Sequence, residues 1–158
     1  MKILLLYYTK TGHTLEAANA TVTGIRSAGA EVDLVNVKDF NPGEMTNYDA
    51  LIVASPCHAG SLTEGIAKPI KKALQSLEPV ALQGKRCGGI SVNSGTGGER
   101  TVKSIGAILT AKGCQEYLPG PVAKAGVPLS LWKGPSVSHS DEAIFRTYGT
   151  QFLTPEIP

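Results

Sequence analysis

The stretch LLLYYTKTGHTLEAA (residues 4–18) changes character twice. A continuous apolar run reads as a strand buried on both faces. A polar turn follows, carrying Thr9, Thr11, Thr14 and Gly12. Leu15, Ala18, Val22 and Ile25 then recur at helical spacing until Gly29 stops the pattern. A helix that starts on such a turn presents unsatisfied N–H groups and the positive end of its dipole. That end suits an anion such as a phosphate without any fixed cation. Alone, the turn reads first as an ordinary capped helix start, and only second as an anion site.

The same alternation continues outward. EVDLVNV (31–37) and ALIVAS (50–55) read as strands, the first near an edge. Between them KDFNPGEMTNYD (38–49) has room for only one turn of helix. Ser61 and Glu64 form a capping-box pattern ahead of Ile66, Ile70 and Leu74, and Pro69 inside it predicts a kink or a later start. RCGGISVN (86–93) is a strand, and Thr96 with Glu99 is a second capping box, leading a helix through Val102, Ile105 and Leu109 to Gly113. CQEYL (114–118) is a short strand and residues 119–139 a long loop rich in Gly, Pro and Ser. Ser140 is the expected N-cap of a last helix with Ile144, Phe145, Tyr148 and Phe152 on one side. Strands alternating with helices predict a parallel sheet covered on both faces, in one domain over 1–158.

Bulk properties narrow the function. The 158 residues are 42% hydrophobic and 18% charged, with a formal net charge of +2. That charge is too small, and too evenly spread, to argue for nucleic acid. KPIKK (68–72) reads as the solvated face of a helix. Cys57, Cys87 and Cys114 show no metal-ligand or disulfide spacing, which fits a reducing cytoplasm. No apolar run is long enough to span a bilayer, so membrane insertion is not expected.

In an open parallel sheet, ligands bind beyond the carboxyl ends of the strands. Three loops dense in Gly, Ser and Thr lie there: 9–14, 55–61 and 93–99. A P-loop reading fails because GKR (84–86) precedes a strand. The dinucleotide fingerprint fails because only Gly12 follows the first strand. A phospho-acceptor receiver domain would need acidic residues after strands one and three, where Tyr7, Tyr8, Thr9 and Ser55 stand.

TKTGHT fits the [ST]-x-[ST]-G-x-[ST] phosphate loop of flavodoxin-like proteins at every defined position. YDALIVASPCHAGSL resembles their third strand and its loop, and SVNSGTGGERTVKSIGAILTAKG resembles the fourth strand, loop and helix of the flavodoxin-like NAD(P)H:quinone oxidoreductases. EAIFRTYGTQF is similar to their final helix. The resemblance implies a three-layer, doubly wound α/β fold with five strands in the order 2-1-3-4-5. It also implies FMN.

On that resemblance, the hydroxyls of Thr9, Thr11 and Thr14 and the amides of Lys10, Gly12 and His13 would hold the FMN phosphate. Ser55, Pro56, Cys57, His58, Ala59 and Gly60 would run beside the isoalloxazine, Gly60 flipping its peptide as flavin N5 gains or loses a proton. Asn93, Ser94, Gly95, Thr96, Gly97 and Gly98 would meet the pyrimidine edge through backbone groups, whose donors stabilise anionic reduced flavin.

The departures from the family matter too. Shuttle flavodoxins are strongly acidic and sandwich the flavin between aromatic residues. Here the charge is near neutral, the second loop offers His58 and the third bare glycine. One flavin face is then open to a nicotinamide or quinone. The expectation is an oxidoreductase passing electrons from a donor such as NAD(P)H to a quinone-like molecule or a partner protein. His58 is the candidate proton donor, and a homo-oligomer is a further expectation. The contrasting readings are a flavodoxin-type shuttle and an interaction domain that has lost flavin. Of the remaining residues, Cys57 reads as an apolar spacer, Cys87 and Cys114 as core, His13 as a loop side chain and His139 as structural or exposed. Trp132 reads as pinning the long loop, and one of Tyr7 and Tyr8 as buried with the other near the loops.

Overall fold

A computed structural model describes residues 1–57, 65–93, 97–125 and 137–154. Five strands, β1 (Lys2–Tyr7), β2 (Glu31–Asn36), β3 (Ala50–Pro56), β4 (Arg86–Asn93) and β5 (Glu116–Lys124), form one parallel sheet in the order β2-β1-β3-β4-β5. Four α-helices, α1 (His13–Ser27), α2 (Lys68–Gln75), α3 (Gly98–Ala111) and α4 (His139–Gln151), lie between and after the strands. The crossover from β2 to β3 holds two 3-10 turns, Val37–Asp39 and Pro42–Asn47, rather than a single helical turn.

Alternation along the buried strands sends side chains to two cores. Ile3, Leu5, Ile52 and Ile90 pack under α1 and α4 with Val22, Ile25, Phe145 and Phe152. Leu4, Leu6, Leu51, Val53 and Cys87 pack under α2 and α3 with Ile70, Leu74, Ile105 and Leu109. Tyr7, the last residue of β1, and Tyr8 after it continue the alternation: both are half-buried, one against each core, rather than one of them being buried.

Several boundaries move from the sequence expectation, each for a local reason. Pro69 sits in the first turn of α2, so the helix starts at Lys68, and Ser61 and Glu64 fall outside the described residues. The N-cap of α3 is Gly97 at φ +101°, one residue past Thr96. Ser138, not Ser140, caps α4, its hydroxyl accepting from Asp141 N–H at 3.1 Å. β5 runs through Lys124, taking six residues assigned to a loop. Pro119 and Pro121 obscured it, and the chain accommodates them with a bulge opposite Ile90. Ile144 is 51% exposed, off the face that buries Phe145, Tyr148 and Phe152.

Candidate functional site at the carboxyl edge of the sheet

Three strand ends meet at this edge. Tyr8 N–H donates to Ala54 O at 3.2 Å, tying the end of β1 to β3, and Cys57 N–H donates to Val92 O at 3.2 Å, tying β3 to β4. Ser91 Oγ donates to Ser55 O at 2.8 Å, locking the same pair from the side chain.

The first loop is shaped by Gly12. It caps α1 at φ +96°, a conformation that favours glycine. Its amide donates to Thr9 Oγ1 at 2.9 Å, closing the turn, and its carbonyl takes the first helical bond, from Glu16 N–H. Having no side chain, it cannot cap the first-turn amides itself. Thr14 is buried in that turn, Thr11 is half-buried and Lys10 is exposed. His13 is not a loop side chain: it is 4% exposed, and its Nδ1 lies 3.0 Å from Glu16 Oε1. Glu16 Oε2 in turn accepts from Val137 N–H at 3.0 Å, which anchors the chain entering α4 beside the start of α1.

The second loop leaves from a committed serine. Ser55 is fully buried, its hydroxyl donating to Pro56 O at 2.8 Å and accepting from Ala67 N–H at 3.2 Å, the N-cap of α2. Pro56 and Cys57 are half-buried. Cys57 pairs with Ile66 in an isolated antiparallel bridge. His58, Ala59 and Gly60 lie outside the described residues.

The third loop meets the second through Cys57. Its Sγ lies 3.0 Å from where a Cβ on Gly97 would stand, and Arg100 Nη2 lies 3.2 Å from the same point. Only a glycine fits there, both for space and for φ. Asn93 ends β4 almost fully buried, its carbonyl accepting from Ala125 N–H at 2.9 Å. Ser94, Gly95 and Thr96 lie outside the described residues, as does Trp132.

The flavodoxin family profile matches residues 5–128, which contain all three loops and the sheet from the second half of β1 through β5. The chain belongs to the flavodoxin family. Family membership implies FMN as the cofactor. An NAD(P)H dehydrogenase (quinone) of Afipia carboxidovorans is 32% identical over 127 residues, 66% of this chain and 63% of that protein. The match therefore spans less than two thirds of that relative. Among solved structures, a flavodoxin from the domain Archaea superposes with a TM-score of 0.78 at 19% identity, covering 96% of each chain. Flavodoxin 1 of Bacillus cereus gives 0.77 at 15% identity and covers 100% of both. These two establish the fold.

Against this flavodoxin frame, two residues escaped the sequence reading. Glu16 had a readable signal, three positions after His13 at the spacing that lets helical side chains meet. Gly65, at φ +72°, had none: it matters because a Cβ there would press on Thr101 Oγ1, 2.5 Å away across the site. Among the described residues no group of His, Cys, Asp and Glu could hold a metal ion. Nor is any described helix long and apolar enough to cross a membrane.

Proposed function

We propose that this chain binds FMN at the carboxyl edge of its sheet and works as an oxidoreductase, passing electrons from NAD(P)H to a quinone-like molecule or a partner protein. The observation that carries the reading is the start of α1. There a glycine N-cap leaves helix amides uncapped beside three threonines, a donor set that matches a phosphate dianion. Thr9 Oγ1 already accepts from Gly12 N–H, so its own hydrogen is left to donate. The hydroxyls of Thr11 and Thr14 and the amides of Lys10 and His13 complete the proposed cradle; the Gly12 amide, expected to hold the phosphate, instead donates to Thr9 Oγ1 and shapes the turn.

Bound FMN supplies one- or two-electron transfer at its ring. Around that ring we assign Ser55, Pro56, Cys57, His58, Ala59 and Gly60 on one side and Asn93 to Gly98 on the other. Ser55 supports that segment from beneath, being fully buried with its hydroxyl and its carbonyl both bonded within the protein. His58 is the proposed proton donor to the ring. The NAD(P)H and quinone assignments draw support from the name of the Afipia relative. We place the protein in the cytoplasm, in keeping with three cysteines that form no disulfide.

The visible spectrum of the isolated protein, followed by anaerobic NADH or NADPH, tests this reading. A yellow protein bleached by either nucleotide and recoloured by a quinone is the expected result. A colourless protein that takes up no FMN rules out redox function and leaves an interaction domain. Yellow protein untouched by either nucleotide turns the reading to the shuttle. One observation favours that second reading: the archaeal flavodoxin matches over 96% of its length and the Bacillus flavodoxin over 100%.

A further inference from the structure

Among the described residues, one buried side-chain atom lacks a hydrogen-bond partner: Oδ1 of Asn93. Other buried polar side chains of β3, β4 and α3 are committed. Ser91 donates to Ser55 O, Ser55 is bonded twice, and Thr101 donates to Gly97 O at 3.2 Å. An orphaned acceptor inside a protein is costly, and each one calls for an explanation, a functional role or a bound group among them.

The location says what kind of ligand. Asn93 is the last residue of β4 and 4% exposed. Its Oδ1 lies 3.3 Å from where a Cβ on Gly98, the first residue of α3, would stand. α3 is 14 residues long and its N-cap, Gly97, has no side chain to cap the first turn. This corner thus sets uncapped amide donors next to a lone acceptor. Amide donors take a carbonyl oxygen; Oδ1 accepts only and takes an N–H or O–H. A cyclic imide edge, with an N–H flanked by two carbonyls, offers both together.

We propose that the Asn93 side chain accepts a hydrogen bond from the imide N–H (N3–H) of the bound flavin ring. The inference rests on the FMN reading above and adds a side-chain recognition element to an edge expected to be met by backbone alone. Asn93 is then a binding residue that selects for a ring bearing a free N3–H.

The test compares FMN with FMN methylated at N3, titrating each by flavin fluorescence into wild type and Asn93→Ala. Wild type should prefer FMN by about tenfold, the size of one buried hydrogen bond, and Asn93→Ala should lose that preference by weakening FMN alone. A variant that keeps the preference, or weakens both flavins equally, overturns the proposal. Wild type binding neither flavin overturns the cofactor reading, and this inference with it. Should Asn93→Ala fail to fold, isotope-labelled wild type with 15N-labelled FMN decides. Scalar coupling across the hydrogen bond from flavin N3 to Asn93 Cγ is expected, and coupling to a backbone carbonyl carbon instead overturns it.

Discussion

Gly24 of α1 lies directly against the main chain of Arg146 in α4, so that a Cβ on the glycine would overlap the Arg146 carbonyl. Gly149 repeats the relationship in reverse against Thr21 O. Thr150 Oγ1 donates to Gly24 O at 3.3 Å across the same seam. The two helices therefore touch backbone to backbone, and neither backbone can swing aside as a side chain would.

Alanine at Gly24 or Gly149 should cost about 3 kcal/mol, the upper part of the range for overpacking a tight contact. Urea denaturation of each variant measures it. An unchanged midpoint would mean that the helices separate freely, contrary to this packing.

The phosphate cradle makes a sharper prediction. Replacing Thr9 and Thr14 together by alanine should weaken FMN binding by ~1–3 kcal/mol, at ~1 kcal/mol per hydrogen bond. Riboflavin, which has no phosphate, should bind wild type and variant alike. If riboflavin loses as much as FMN, the loop is not reading the phosphate.

Glu16 should matter at a distance. Its carboxylate joins His13 to the amide of Val137, so Glu16→Ala should cost roughly 1–2 kcal/mol. The Val137 amide should also exchange its hydrogen faster with deuterium. Retained protection at Val137 would show that the described bond is not the one holding that segment.

Alkaline pH should destabilise the protein through its tyrosines. Tyr48 donates to Asp33 Oδ2 at 2.7 Å, and burial, with the Asp33 bond second, pushes its ionisation up to about 12 from 10.0. Burial also raises Tyr117 and Tyr148, whose hydroxyls donate to Val102 O and Leu118 O. Below pH 10 both folded and unfolded chains keep these protons and stability is full. Above it the unfolded chain releases them first, so stability falls as pH rises toward and past 12. Urea midpoints measured from pH 9 upward should decline, less steeply in Tyr48→Phe. A flat profile in the wild type would contradict the burial of these phenols.

Much of this was legible because the strongest signals are periodic. Continuous apolar runs gave β1 and β3, and β4 is bounded at Arg86 and Asn93 as read. The three loops were legible as a set because topology sends every strand's carboxyl end to the same edge. β5 was not, because prolines argue against a strand unless it lies at an edge and bulges. The orphaned Asn93 acceptor was also hidden. Sequence places the residue in the right loop, but whether its side chain finds a partner depends on where Gly98 and α3 lie.

Those same prolines shape how the molecule meets its own kind. β5 is an outer strand of the sheet, and the other outer strand, β2, carries Glu31 and Asp33. Pro119 and Pro121 offer no N–H to a strand approaching from outside, and the bulge opposite Ile90 breaks the regular spacing that such a strand would need. One flank is thus guarded by geometry and the other by charge. Polymerisation by sheet extension is disfavoured on both sides, and contacts between copies are left to the helical faces and loops.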